Sequence, residues 1–186
     1  VSEMSGRSTI ELKAKQLGMQ LDGEVLGEIV DTLKELEYAG YHFAAADASL
    51  ELLMRAASGW SHDYFTLESF SVNVGHRSGS GSRAWNDVAV QVETEATVTV
   101  QVDGDRVVAT GEGNGPVNAL DSALRKALGS RFPELERLYL TDFKVRVLEA
   151  RQGTGAVTRV LIDTTNGERT WTTIGVSENI IEASWQ

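Results

Sequence analysis

Residues 94–116 read TEATVTVQVDGDRVVATGEGNGP, and this stretch decides the fold. Residues 94–102 alternate between apolar and polar side chains, which predicts a strand with one buried face and one wet face. Asp103-Gly104 readily takes the positive φ values of a tight hairpin, and residues 106–110 supply the returning strand. Pro116 suits the first position of a helix, because its missing N–H costs nothing there. The stretch therefore predicts a hairpin followed by a helix.

The same pattern occurs a second time. The turn Asn166-Gly167 repeats Asp103-Gly104, and the predicted helix starts, near Pro116 and Glu178, are separated by almost the same interval as the two turns. A strand over 64–74 precedes the first hairpin, and a glycine- and serine-rich segment, 75–82, is predicted to be a mobile loop. In the second copy we predict strands over 140–149, 156–163 and 169–176, and then a helix that Ser177 caps and that looks truncated at Gln186. The chain is predicted to be α+β, with two βββα units related by pseudo-twofold symmetry.

The region before these units is helical in character. From Ser8 to Ala57 apolar residues recur at three- and four-residue steps, and Gly40 separates two helical segments. The first segment carries the buried stripe Leu26, Ile29, Val30, Leu33 and Leu36. We predict a small all-helical linker subdomain over 1–60 and a regulatory domain over 61–186.

The composition limits the possible partners. The chain of 186 residues carries 17 basic and 27 acidic residues, a net charge of −10, so it lacks the positive field that binds nucleic acid. It has no cysteine, which fits a reducing compartment such as the cytoplasm, and no apolar run approaches the roughly 20 residues that span a membrane. The N-terminus shows no signal peptide and no starting methionine, and we expect a piece of a longer chain.

Few side chains form a pattern typical of catalysis. The histidines, His42, His62 and His76, lack the spacing of a metal site, and no serine lies in a nucleophile elbow. Capping or solvation explains the acids Asp47, Glu51, Asp121 and Asp142. The glycine-rich residues 111–115 superficially resemble a phosphate loop, and we interpret them as a close-packed turn, with direct ligand contact as the alternative. The sequence predicts neither a catalytic site nor a metal site in this chain.

One apolar cluster has two interpretations. Phe143, Val145 and Val147 on one strand face, with Ile180 and Ile181 at the last helix, would normally form core. The alternative is a pocket that holds a branched-chain amino acid, with its side chain among apolar groups and its carboxylate at the helix N-terminus.

Four ordered motifs resemble the C-terminal regulatory domain of the 2-isopropylmalate synthase and citramalate synthase family. The resemblance covers about 64–186, and residues 5–8 and 40–53 are similar to the linker of the citramalate synthase branch. The motifs are GNGPVNALD at 113–121, LTDFKVRVL at 140–148, TRV at 158–160 and GVSENIIEAS at 175–184.

The resemblance implies what this chain does. In that family a TIM barrel condenses acetyl-CoA with a 2-oxo acid on a divalent metal, and the C-terminal domain binds the pathway end product as a feedback inhibitor. The barrel is missing here, so we expect no cofactor in this chain and a homodimer whose interface holds L-isoleucine or L-leucine. The residues implied for effector binding are Val117, Leu140, Phe143, Val147, Val157, Glu178 and Ile180. The rival hypothesis is a purely structural dimerisation domain that binds no ligand.

Overall fold

A computed structural model of the chain describes residues 6–61, 64–77, 91–148 and 155–186. These residues divide into two compact units, one combining Val1–His62 with Arg137–Gln186 and the other comprising Asp63–Glu136. The predicted helical linker and the second βββα unit thus belong to one compact body. The predicted domain 61–186 includes strands from both units, which are described separately below.

The unit Asp63–Glu136 is a βββα unit with a three-stranded antiparallel sheet in the order β1-β2-β3. Alternate residues of β2 from Ala96 to Val102 are buried, as the alternating pattern predicts. The helix α4 buries Ala119, Leu120 and Ala123, so its apolar stripe covers one sheet face. The elements are β1 (Thr66–Arg77), β2 (Gln91–Val102), β3 (Asp105–Gly113), α4 (Pro116–Leu128) and a 3₁₀ turn (Pro133–Arg137).

The other unit holds the linker helices and the second βββα unit. Its strands form a second antiparallel sheet in the order β4-β5-β6. The elements are α1 (Arg7–Gln16), α2 (Gly23–Tyr38), a 3₁₀ turn (Phe43–Ala45), α3 (Asp47–Ala57), β4 (Tyr139–Val147), β5 (Thr158–Thr165), β6 (Thr170–Ser177) and α5 (Ile180–Trp185). The predicted α+β class with two βββα units is confirmed.

Gly40 ends the second linker helix, as predicted. It follows the helix with φ +112°, a conformation that side chains disfavour, and the Tyr41 amide donates back to the Leu36 carbonyl. The region from Ser8 to Ala57 is further divided near Gly18, where φ is +72°. The apolar side chains of all three helices then meet in one core that includes Ile10, Leu33 and Leu50 of α1, α2 and α3.

The repeat is real, but its period is slightly longer than the interval between the two turn glycines. In the strand pairing, Thr94 and Gly113 correspond to Thr158 and Ser177. The glycines give a shorter interval because the two turns differ. Asp103 and Gly104 both have positive φ in a tight turn, whereas Asn166 accepts the amides of Glu168 and Arg169 in a longer one.

Several predicted boundaries are wrong by a few residues. The last helix begins at Ile180 and not at Glu178, and its cap is Asn179 and not Ser177, because β6 continues through Ser177. Asn179 Oδ1 accepts the Ile181 amide. Residues 75–77 belong to β1, and the remainder of the predicted loop, 78–82, lies outside the described residues.

A glycine on the third strand of each unit lies against the helix backbone. A Cβ added at Gly111 would collide with backbone atoms of Ala119 and Ala123, and a Cβ at Gly175 would collide with the Ala183 carbonyl. The interval from Gly111 to Gly175 equals that from Ala119 to Ala183, so the two contacts are equivalent in the repeat. The two helices therefore approach their sheets as closely as backbone atoms allow.

We predict that Gly175→Ala destabilises the chain by about 1–3 kcal/mol, because the added methyl group must displace α5 from the sheet. Urea unfolding at constant pH measures the change. The control is Gly27→Ala in α2, where no atom lies within 4 Å of the added Cβ. This control should stabilise the chain by about 0.5–1 kcal/mol, since alanine favours helix. Equal effects of the two variants would contradict the close approach.

Candidate functional site

The predicted effector residues on β4 share one face of its sheet. Phe143 pairs with Ile162, Val145 with Val160, and Leu140, across a bulge, with Thr164. We call Leu140, Phe143, Val145 and Val147 the β4 apolar strip. The structure brings these four side chains onto a single surface.

This strip is not core within the chain. Leu140 is 48% exposed, Val145 41% and Val147 50%, while Phe143 is half-buried. The interpretation of these residues as ordinary core is therefore wrong for the chain by itself. Full burial of each such side chain is worth about 1.5–3 kcal/mol, and clusters of exposed apolar residues mark binding surfaces.

Helix α5 explains why the strip is uncovered. Gly175 lies on the same sheet face as Val160, and α5 packs there against the glycine, so its six residues cover β5 and β6. Val160 is completely buried, whereas Leu140, Val145 and Val147 of the adjacent strand β4 are exposed. The strip thus flanks the short helix.

The opposite face of this sheet carries the linker helices. Ile174 is part of their apolar core, and Leu161 and Val176 pack against that core. The strip is therefore on the face turned away from the linker helices. The sheet separates a face covered by the linker from a face that is partly open.

The other predicted effector residues lie in different places. Glu178 and Ile180 join β6 to α5 and are both exposed, Ile180 at 43%. Val157 precedes β5, is half-buried, and its carbonyl accepts the Leu148 amide at 2.8 Å. Val117 belongs to α4 in the unit Asp63–Glu136, where it is half-buried. Their role in effector binding stays a prediction.

The charged residues that alternate with the strip along β4 include a paired lysine and aspartate. Lys144 Nζ lies 2.5 Å from Asp142 Oδ2 and 3.6 Å from Asp163 Oδ2. The hydrogen bond from Lys144, and then that from the Phe143 amide, hold the pKa of Asp142 below its ordinary value, while Asp142 raises the pKa of Lys144. Both groups are therefore charged at neutral pH, and they lie on the sheet face opposite the strip.

A polar cavity of about 590 Å³ lies at the N-terminus of α4. Gly111 and Gly113 meet the α4 backbone closely, so the predicted close packing is found, but these two glycines belong to the end of β3 and not to a turn. Gly115 differs, because a Cβ there would meet nothing within 4 Å. The cavity is lined by Glu93, Thr94, Glu95, Glu112, Gly113, Asn114 and Asn118.

Thr94, one of the lining residues, has a buried hydroxyl group with unused bonding capacity. Thr94 is 2% exposed, and in the described part of the chain its Oγ1 has no hydrogen-bond partner. The equivalent Thr158 donates to the Ser177 carbonyl at 2.8 Å. Sequence reasoning missed Thr94, because an alternating strand pattern does not show which hydroxyl groups find partners. The side chains that line the cavity are mainly the carboxylates of Glu93, Glu95 and Glu112 and the amides of Asn114 and Asn118.

A family of known proteins matches most of this chain. Residues 44–186 match the LeuA allosteric (dimerisation) domain. The chain belongs to this family. The match begins before α3, so the LeuA domain as the family defines it includes part of the helical linker.

The relatives of the chain are synthases of two kinds. The chain is 51% identical to an (R)-citramalate synthase of Streptomyces coelicolor and 44% identical to one of Aquifex aeolicus, and in both cases all of the chain is aligned. It is 28% identical to a 2-isopropylmalate synthase of Solidesulfovibrio magneticus over 97% of the chain. The chain spans about a third of the length of these relatives, 34%, 34% and 31%. It is more similar to these two citramalate synthases than to the isopropylmalate synthase.

Two further observations concern metals and membranes. Within the described ranges, no group of three His, Cys, Asp or Glu side chains is arranged to hold a metal ion. No helix in those ranges is both long enough and apolar enough to cross a membrane.

We predict that Thr94→Val stabilises this LeuA domain by about 1 kcal/mol, because it removes a buried hydroxyl group that lacks a partner. The matched control is Thr158→Val at the equivalent position, which loses a hydrogen bond and should destabilise the chain by a similar amount. Thermal and urea unfolding measure both changes. A destabilised Thr94→Val variant would show that the hydroxyl group has a partner.

Proposed function

We propose that this chain is the regulatory part of a cytoplasmic citramalate or 2-isopropylmalate synthase and that it binds a branched-chain amino acid as feedback inhibitor. The observation that carries the proposal is the exposed β4 apolar strip in a member of an allosteric domain family. The inhibited reaction is the condensation of acetyl-CoA with a 2-oxo acid. Its divalent metal and acetyl-CoA would be held by the catalytic barrel, and we assign neither of them to residues of this chain.

The chemistry of the strip suits an aliphatic side chain. Leu140, Val145 and Val147 are branched and apolar, and Phe143 adds a flat aromatic ring between them. Such a surface gains free energy by losing contact with water and offers no hydrogen bond that a polar side chain would need. A leucine or isoleucine side chain matches it in size and polarity.

The charged ends of an amino acid need polar partners. The resemblance to the family assigns them to the backbone around Glu178 and Ile180, where β6 passes into α5. Both residues are exposed and belong to the same compact unit as the β4 apolar strip. These positions support recognition of a zwitterion within that unit.

We propose L-isoleucine as the effector if the parent enzyme makes citramalate, and L-leucine if it makes 2-isopropylmalate. The 51% identity to an (R)-citramalate synthase favours isoleucine. One shifted methyl group is worth only about 1–3 kcal/mol in an apolar pocket. The choice must therefore be measured.

Inhibition follows from linkage between two arrangements of the protein. An effector that binds one arrangement better shifts the population toward it, and the shift cannot exceed the difference in binding free energy. We propose that the chain acts as a homodimer, since a second copy would bury apolar surface that one copy leaves exposed. The parent's catalytic barrel then responds through the linker helices.

The second candidate function is a purely structural dimerisation domain. The same exposed strip favours it, because a second copy of the chain could cover these side chains without any ligand. The family name includes dimerisation as well as allosteric control. Binding of an amino acid separates the two functions, whereas dimerisation alone does not.

We predict that Phe143→Ala weakens binding of L-isoleucine or L-leucine by tenfold or more, since truncating a buried aromatic contact costs about 1.4 kcal/mol or more. Titration calorimetry measures the affinity, and light scattering measures the mass. The control is Val108→Ala on β3, which shortens another exposed strand side chain, 54% exposed, outside the strip. Unchanged affinity in Phe143→Ala would remove this residue from the site, and no binding by the unaltered dimer would favour the structural function.

A further inference from the structure

The backbone amides on the outer edge of β6 are hydrogen-bonded to side chains. This strand lies at the end of the sheet order β4-β5-β6, where its outward amides would be open to another strand. Three alternate amides on this edge instead have side-chain acceptors. Thr172 N donates to Asp47 Oδ1 at 2.9 Å, Ile174 N to Ser49 Oγ at 3.0 Å, and Val176 N to Gln186 Oε1 at 3.0 Å.

Two of these acceptors belong to the first turn of α3 in the linker. Asp47 is the first residue of α3 and Ser49 is the third, so their side chains run along the strand at its own two-residue spacing. The sequence predicts only capping or solvation for Asp47. The structure shows that its carboxylate also binds the Thr172 amide, a partner that no helix pattern reveals.

The third acceptor ties the linker to α5. Tyr41 Oη donates to Gln186 Oε1 at 2.9 Å, and the same oxygen accepts the Val176 amide at 3.0 Å. Arg159 Nε of β5 also donates to the Gly40 carbonyl at 2.6 Å. This bond fixes the residue that follows the end of α2 to β5. The linker, β6 and the residue that follows α5 therefore share one hydrogen-bond network.

The network is next to the predicted effector residues. Glu178 and Ile180 lie where β6 passes into α5, and Ile174 of β6 is buried in the linker core. A displacement of α5 or β6 at that junction would change hydrogen bonds that are directional and are either formed or broken. An element with two discrete arrangements is what coupling between sites requires.

We propose that Asp47, Ser49 and Tyr41 form a latch on β6 that converts effector occupancy at the β6–α5 junction into a change in linker docking. This inference rests on the proposed function. The three are positioning residues, because they contact β6 or Gln186 and not the effector. Reciprocity requires that weakening the latch alters effector affinity, even though none of its residues belongs to the predicted binding site.

The experiment compares Ser49→Ala/Tyr41→Phe with Ser58→Ala. Each of the two latch substitutions removes one hydroxyl group and leaves the rest of the side chain in place. Ser58 Oγ donates to the Met54 carbonyl within the linker, so Ser58→Ala is the matched control. Hydrogen exchange of individual amides is read by NMR with and without L-isoleucine and L-leucine, and calorimetry gives the affinity.

Without effector, the latch variant should speed exchange of the Thr172, Ile174 and Val176 amides and of α3 amides by about fivefold or more, and the control should not. Acceleration confined to Ile174 would mean local loss of one hydrogen bond and would overturn a cooperative latch. The effector affinity of the latch variant should differ from that of the unaltered chain by about fivefold or more.

The failures of the latch and of the proposed function are distinguishable. Unchanged effector affinity in the latch variant, with normal binding by the unaltered chain, overturns the coupling and leaves the proposed function standing. Absence of binding by the unaltered chain overturns the proposed function and the coupling together. The effector-free exchange measurement decides in either case whether the latch holds the linker on β6.

Discussion

The close approach of a helix to a strand glycine is the constraint on which each βββα unit depends. At Gly111 and at Gly175 there is no room for a side chain between the sheet and the helix backbone. A larger residue would tilt or lift the helix and expose buried alanines such as Ala119 and Ala183. The glycine therefore fixes where the helix lies on the sheet, and consequently which part of that sheet face stays uncovered.

In the second βββα unit, this constraint leaves the two faces of the sheet with different contacts. One face packs Ile174 into the linker core, and the other carries α5 against Gly175 and leaves the β4 apolar strip exposed. The β6 strand belongs to both environments, because its side chains alternate between them and its edge amides bind linker side chains. A displacement of β6 on one face can therefore change contacts on the other face. A regulatory domain requires such a connection between two surfaces.

Local chemistry makes much of the fold predictable from the sequence. The alternation of residues 94–102 determines a strand, Asp103-Gly104 forms the expected turn with two positive φ values, and Pro116 begins a helix. The predicted start of the second helix is wrong, because Ser177 and Asn179 are both good caps and only the length of β6 decides between them. The candidate site is less predictable, since the exposure of Leu140, Val145 and Val147 depends on how far a six-residue helix reaches across the sheet. The orphan hydroxyl group of Thr94 and the bond from Thr172 to Asp47 likewise depend on contacts distant in sequence.

The central claim is that the exposed face of the second sheet receives a branched-chain amino acid. Amide chemical-shift mapping during titration with L-isoleucine and L-leucine, with D-isoleucine as the control, tests this most directly. The account predicts saturable, stereospecific shifts that centre on β4 and on the junction between β6 and α5. Absence of shifts at millimolar concentration, or shifts confined to α1 and α2, would contradict it.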